Sequence, residues 1–323
     1  MTELPERDLP PGRHRVLKEH LMSEIRTPDR TPHRAKDRTQ DNGVRVQGKP
    51  MREGWRRPGV LAPLAAVAVA ASVIAGLVFT GHDAGGVRPA PSEAAALLED
   101  VALAAEHGTV PGDIRDDQFV YIESKVGYVG YQAGRKPKLE PIHKREVWRS
   151  VDGSRAGFLR EANHVGQRPL NPDTPGVESN TNYRHLQTLP TDPDAMLTWL
   201  HKVDRGEGGK SKDQNAFVLV GDLVAESLMP PKVSAALYRA AAKIPGVQIV
   251  EDSVDAAGRH GVAVAREDSG IREELIFDKK TKKYLGERSV AVRDIEGGLK
   301  KGELEGSSAI LQRAVVDRVR QTP

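Results

Sequence analysis

The sequence predicts an α+β protein: an antiparallel sheet with helices on one face, preceded by one transmembrane helix and a disordered cytosolic tail. Three observations carry this. Residues 58–81 form a run of 24 residues without a charge. Beyond it, segments of alternating apolar and polar character cluster early and late, with helical patterns between them. Early strands, then helices, then late strands is the order of an α+β domain, with antiparallel strands and helices gathered on one face. Finally, residues 1–57 are polar and basic, with too few large apolar groups to build a core.

The tail carries 14 Lys/Arg and 9 Asp/Glu, whereas the rest of the chain is close to neutral. The sequence pI near 9.0 therefore belongs to the tail and does not mark a nucleic-acid-binding surface on the folded part. One short helix is expected near 13–25, after Pro10, Pro11 and Gly12 and before Pro28. Its Val16, Leu17, Leu21 and Ile25 fall on one face and are the candidate partner-binding residues. Such a helix is marginal alone in water and is expected to form against a partner.

The run PGVLAPLAAVAVAASVIAGLVFTG (58–81) is roughly 36 Å long as a helix, enough for a hydrocarbon core of about 30 Å. Ten of the 21 residues from Val60 to Thr80 are Val, Leu, Ile or Phe. They favour insertion by roughly 3–6 kcal/mol. A buried core helix would show a polar face, and this run has none. A cleaved signal peptide would need a charged region of some 57 residues and an A-x-A site close behind, and neither fits. Arg38, Arg45, Lys49, Arg52, Arg56 and Arg57 lie within 20 residues before the run, and only Arg88 within 20 after it. The positive-inside rule then places the tail in the cytoplasm and residues 92–323 outside, in a single-pass protein of the cell membrane.

Residues 82–91 (HDAGGVRPAP) read as a linker. A helix is expected from Ser92 to His107, with Ser92 as N-cap and Gly108 as stop. Strands are expected at Gln118–Val126, Arg145–Val151 and Arg155–Glu161, with a turn at Asp152-Gly153. The Asn-, Pro- and Thr-rich stretch 163–190 reads as a loop. Helices follow at Asp192–Val203, Gln214–Met229 and Pro231–Ile244, two of them opening on proline. The chain then returns to strands at Val247–Glu251, His260–Arg266, Ile271–Phe277, Tyr284–Val292 and Ile310–Val319, with a hairpin turn at Asp278–Thr281.

The residue inventory excludes much chemistry. There is no cysteine, so disulfides, thiolate nucleophiles, Cys-ligated metals and a lipobox are ruled out. No H-E-x-x-H, G-x-S-x-G, S-x-x-K pair, EF-hand loop or G-x-G-x-x-G occurs. Gly209-Lys210-Ser211 resembles the end of a phosphate loop, but the required upstream glycine is Asp204 and a helix precedes it where a strand is needed. His201 and Asp204, one turn apart, lead into a loop and make a poor metal pair. Glu273 and Glu274 are neighbours in a strand and point to opposite faces, so they cannot act together as acid and base. No cofactor and no metal is expected.

The segments QFVYIES (118–124), REVWRSVDG (145–153), LPTDPDAMLTWL (189–200), PPKVSAALYRAAAKIPGV (230–247), GRHGVAVAR (258–266) and ELIFDKKTKKYLGER (274–288) resemble an uncharacterised actinobacterial family of single-span membrane proteins. PPGRHRVLKEHLMSEI (10–25) is similar to that family's start. A strand, then Asp278-x-x-Thr281, then a strand is also similar to the end of the open half-barrel of periplasmic lipoprotein carriers and of sensors that regulate anti-sigma factors. That likeness implies an apolar concave face under helices. The resulting expectation is a non-catalytic, membrane-anchored extracytoplasmic binding or sensor domain, with anti-sigma-like signalling through the tail. The alternative is a tethered lipid or lipoprotein carrier; an enzyme is not expected. Expected partners are the membrane bilayer, a sigma factor or other cytosolic protein, and a lipid or exported protein, with no nucleic acid.

Overall fold

The first element of the domain follows directly from its capping residue. Ser92 is extended, and its hydroxyl accepts the N–H of Ala95 at 3.2 Å, closing the first turn of α1 (Glu93–Glu106). The helix buries Ala94, Leu97, Leu98, Val101 and Ala102, one stripe at helical spacing. The structure is a computed structural model, and it describes residues 92–130, 136–163, 166–203, 210–295 and 298–323. The tail helix at 13–25, its residues Val16, Leu17, Leu21 and Ile25, and the apolar run 58–81 all lie outside the described residues. Among the described residues, no helix is long and apolar enough to cross a membrane.

After α1 come β1 (Phe119–Gly130), β2 (Lys138–Leu139), β3 (His143–Ser150), β4 (Gly157–Glu161) and β5 (Gln167–Leu170). Then follow α2 (Tyr183–Leu186), α3 (Pro193–Val203), α4 (Lys212–Ala225) and α5 (Pro231–Ala241). The last five strands are β6 (Gln248–Val254), β7 (His260–Asp268), β8 (Ile271–Phe277), β9 (Tyr284–Ala291) and β10 (Leu304–Val316). They form one open antiparallel sheet in the order β5-β4-β3-β1-β10-β9-β8-β7-β6, with β2 paired to β1. The two blocks of strands expected from the sequence are thus one sheet, because β10 inserts between β1 and β9.

Two expectations need correction. Residues 163–190 are not loop throughout, since β5 and α2 fall within them. β5 is an edge strand, where Pro169 costs no ladder hydrogen bond. The α2 turn forms because the Asn182 side chain accepts the His185 N–H at 2.8 Å. Second, the last strand starts at Leu304, earlier than Ile310, and ends at Val316. Gly306, Ser307 and Ser308 have turn-like chemistry, but pairing with β1 and β9 on both sides overrides their propensity.

The helices lie on one face. Val262 and Val264 of β7 and Leu275 and Phe277 of β8 form one apolar cluster with residues of α1, α3, α4 and α5, including Leu98, Leu200, Phe217 and Leu237. On the same face, at the other half of the sheet, Val120 and Ile122 pack with Ile310 and Tyr183. The opposite face carries a second aromatic cluster of Phe119, Tyr121, Trp148 and Phe158 with Val316. The chain end covers it: Trp148 Nε1 donates to the Gln321 carbonyl at 2.6 Å, and the Arg320 guanidinium stands 3.9 Å over the Phe158 ring. Trp148 is therefore core, on the side away from the helices.

Candidate functional site

The helix face of the sheet is not uniformly apolar. Alternation along β1 places Ser124, Val126 and Tyr128 on the same side as Val120 and Ile122. Ser124 sits opposite Arg145 of β3, and Arg145 sits opposite Glu161 of β4. Three strands therefore bring polar side chains beneath the C-terminal half of α4. The helix meets them with Asp222 and Glu226, four apart and on one side.

Arg145 is the hub of this seam. Its guanidinium donates to Glu161, and its Nε donates to Glu226 at 2.8 Å. Arg149, one strand period pair away on β3, reaches the second Glu226 oxygen at 3.5 Å. Arg145 is 6% exposed, so these bonds work in a low dielectric. Burial pulls the Arg145 pKa down, but the Glu226 and Glu161 carboxylates outweigh it, and the group is held charged more firmly than a free arginine.

Arg313 of β10 anchors the same helix end differently. The pairing of β1 with β10 slips by one residue at Leu311, so Ile310 and Arg313 both face the helices although three positions apart. Arg313 then donates to the carbonyls of Val224 (2.6 Å) and Ser227 (3.0 Å). It satisfies orphan acceptors at the α4 C-terminus, where a cation is favoured. α4 stops at Ala225, short of the expected Met229.

Glu287 of β9 completes the seam. It pairs with Leu275 of β8 and faces α4. Its backbone N–H donates to the Ser308 hydroxyl at 3.2 Å, and its carboxyl oxygen lies 3.5 Å from the Tyr284 hydroxyl. α4 comes this close because residue 221 is glycine. A Cβ there would sit 2.7 Å from the Glu287 carboxyl oxygen and 3.0 Å from Leu275 Cδ2. Burial, with the nearby Asp222, Glu273 and Glu226 carboxylates, pushes Glu287 up to about 8. Burial likewise raises the Tyr128 and Tyr284 hydroxyls well above their ordinary range, and the Glu287 charge adds to both. No family model matches the chain, and no curated protein is similar to it.

The residues singled out in the sequence fall elsewhere. Glu273 and Glu274 do point to opposite faces. Glu273 meets Lys210 (3.3 Å) and Ser289 on the helix side. Glu274, fully buried on the other side, binds Arg272 at 2.8 Å and lies near Arg288 and Ser253. His201 pairs with Asp213 at 3.1 Å, and Asp204 is outside the described residues. Ser211 is the N-cap of α4 and donates its hydroxyl to Asp268 at 2.6 Å, so the chain's own carboxylate already occupies that helix start. Asp278 accepts the Lys280 and Thr281 N–H groups and the Thr281 hydroxyl, which makes D-x-x-T here a turn device. The sequence reading missed Arg145, Glu161, Arg313 and Glu287. The available signal was a charge at each inward position flanking an inward Val147 in Arg145-Glu-Val-Trp-Arg149. An inward charge between apolar neighbours requires a buried partner.

Proposed function

We propose that the chain is a non-catalytic, single-pass membrane protein whose outward domain, 92–323, binds or senses a signal while its tail, 1–57, contacts a cytosolic partner. The observation that carries this reading is the seating of α4. The helix rests on the sheet partly through ion pairs with β3 and hydrogen bonds from β10, as well as through apolar packing. An element held by a few specific charges has a position that a change of charge can shift, which is what a sensor requires. The membrane anchor is the 58–81 run, with the basic residues before it setting orientation. In its concrete form the helix at 13–25 presents Val16, Leu17, Leu21 and Ile25 to a sigma factor.

The open sheet with helices on one face also supports a finer reading as a half-barrel, and with it a second function, a tethered lipid or lipoprotein carrier. The filling of the interior favours the sensor. Met196, Leu200, Phe217, Leu223 and Leu237 are each 0% exposed, so the space between helices and sheet around them is occupied by protein.

Co-purification from the native membrane separates the two. Full-length protein is compared with a form lacking residues 1–57. A cytosolic protein retained only by the full-length form supports signalling. The same lipid or exported protein retained by both forms replaces it with the carrier.

A further inference from the structure

Three rings of the cluster on the far face of the sheet carry an arginine over them, and the three arginines are held differently. Arg155 stands 4.9 Å from the Phe119 ring and donates to the Asp116 carbonyl at 2.8 Å. Arg160 stands 5.1 Å from the Trp148 ring and binds Glu146 at 3.1 Å. Both project from the β3–β4 hairpin itself. Arg320 stands closest, 3.9 Å from the Phe158 ring, and among the described residues the ring is its one side-chain partner.

Arg320 belongs to a segment, 317–323, that touches the domain at few points. Asp317 accepts from Arg115 (2.8 Å) and Gln118 (2.9 Å). Four residues on, the Gln321 carbonyl takes the Trp148 indole N–H. Between them a turn closes with the Gln321 N–H on the Arg318 carbonyl at 3.2 Å. The turn puts Arg320 at φ +69°, a left-handed conformation that arginine rarely adopts. The segment pairs with no strand, and each of its residues is exposed. Beneath it Trp148, Tyr121 and Phe158 are as buried as the main core. A buried indole N–H needs an acceptor, and the face of an aromatic ring attracts a cation. The segment supplies both from adjacent residues, the guanidinium of Arg320 and the carbonyl of Gln321.

We propose that Trp148 and Phe158 form a docking slot for an arginine-bearing segment of a partner protein, and that residues 317–323 fill it as an internal stand-in. This deepens the binding reading by naming the ligand class, and it rests on that reading for its consequence though not for the slot. The partner is selected by the two groups the stand-in already satisfies: an arginine for the ring face, followed by a carbonyl for the indole. It gains access by displacing the segment. A cap held by one hydrogen bond and one cation–π contact is open about one part in ten to one in a hundred, and it weakens the apparent affinity by the same factor.

The test follows Trp148 emission in the full chain in detergent micelles, with Trp55 and Trp199 replaced by phenylalanine. The probe is the acetylated, amidated peptide DRVRQTP, the chain's own residues 317–323. In the chain ended at Val316 the peptide is expected to return the emission to shorter wavelength and to saturate. The same peptide carrying Arg320→Ala should bind about three- to thirtyfold more weakly. The unshortened chain should take the arginine peptide about ten- to a hundredfold more weakly than the shortened one. Arg320→Ala in the unshortened chain loosens the cap and serves should the shortened chain not fold; it should bind the peptide more tightly than the unsubstituted chain. Shortened and Arg320→Ala chains that both ignore the peptide overturn the slot, as does equal binding of the arginine and alanine peptides. A shortened chain that dimerises in micelles and no longer answers to the peptide gives the slot to a second copy and overturns the partner. The sensor reading is scored apart, by adding the peptide to the co-purification described above. An exported protein released by the peptide ties the slot to sensing; a seated peptide that releases nothing sustains the slot and removes it from the sensor.

Discussion

Arg145 Nε of β3 donates to a carboxylate oxygen of Glu226, at the end of α4, across 2.8 Å of the helix–sheet boundary. The same guanidinium also binds Glu161. Arg145→Met would leave both acids without their common cation, Glu161 in a buried position and Glu226 in a partly buried one. Breaking a buried pair from one side costs about 3–5 kcal/mol. Urea unfolding should show a loss of that order, with an unchanged slope. Arg145→Lys should recover only part of it, because an ammonium cannot fork between two carboxylates.

A second prediction concerns the β9–β10 junction. A Cβ on Gly286 would lie 2.2 Å from the Ser308 carbonyl oxygen and 2.9 Å from Ala309 Cα. Both obstacles are backbone and cannot rotate aside. Gly286→Ala should therefore destabilise the domain by about 2 kcal/mol or more, since overpacking of this kind forces the strands to shift. A thermal melt matching the unsubstituted protein would contradict the close approach described for these strands.

Much of the fold was legible because its signals are local. Ser92, Pro193 and Pro231 mark helix starts within one turn, and Asp278 makes its turn with side-chain atoms three residues away. The early and late strand blocks were visible from alternation. What joins them was not, since the insertion of β10 between β1 and β9 depends on pairing Phe119 with Val316. The seam was illegible for the same reason. Glu287 and Arg313 look like ordinary surface charges until topology places them under α4, and Glu226 until it places Arg145 beneath the helix end. The one-residue slip at Leu311, which turns Arg313 inward, leaves no local mark in the sequence.

The chain end should be a measurable part of the domain. Ending the chain at Val316 removes the Gln321 carbonyl that Trp148 Nε1 uses and the Arg320 cation over Phe158. With Trp55 and Trp199 replaced by phenylalanine, the emission of Trp148 should move to longer wavelength. Stability should fall by about 1–3 kcal/mol from the lost hydrogen bond and cation–π contact. Unchanged emission would mean that residues 317–323 do not cover this cluster in solution.

Global stability should depend on pH in two opposing limbs. Asp278 and Glu99 are held below the ordinary range, Asp278 by the Thr281 N–H first and Glu99 by Arg239. They add stability above their unfolded values, and it is lost as pH falls through the folded ones. Glu287 acts the other way. The folded chain keeps a proton to about pH 8 that the unfolded chain releases near 4.5, so stability declines as pH rises between them. The maximum is expected near pH 5, about where the limbs cross. Denaturant midpoints measured from pH 3 to 9 would show it, and Glu287→Gln should flatten the upper limb.

The antiparallel pairing of Phe119 with Val316 also dictates when the domain can be finished. β1 waits for β10, the last strand delivered, before its second edge is satisfied. A chain emerging in sequence order holds β1, β3, β4 and β5 as an incomplete half-sheet, with an unpaired edge and the Trp148 cluster bare, until nearly the whole length has followed. Such non-local closure makes folding slow. If the domain crosses a bilayer after its own anchor, the half-sheet must be shielded through that interval, so its yield should depend on export-side chaperones far more than its final stability would suggest.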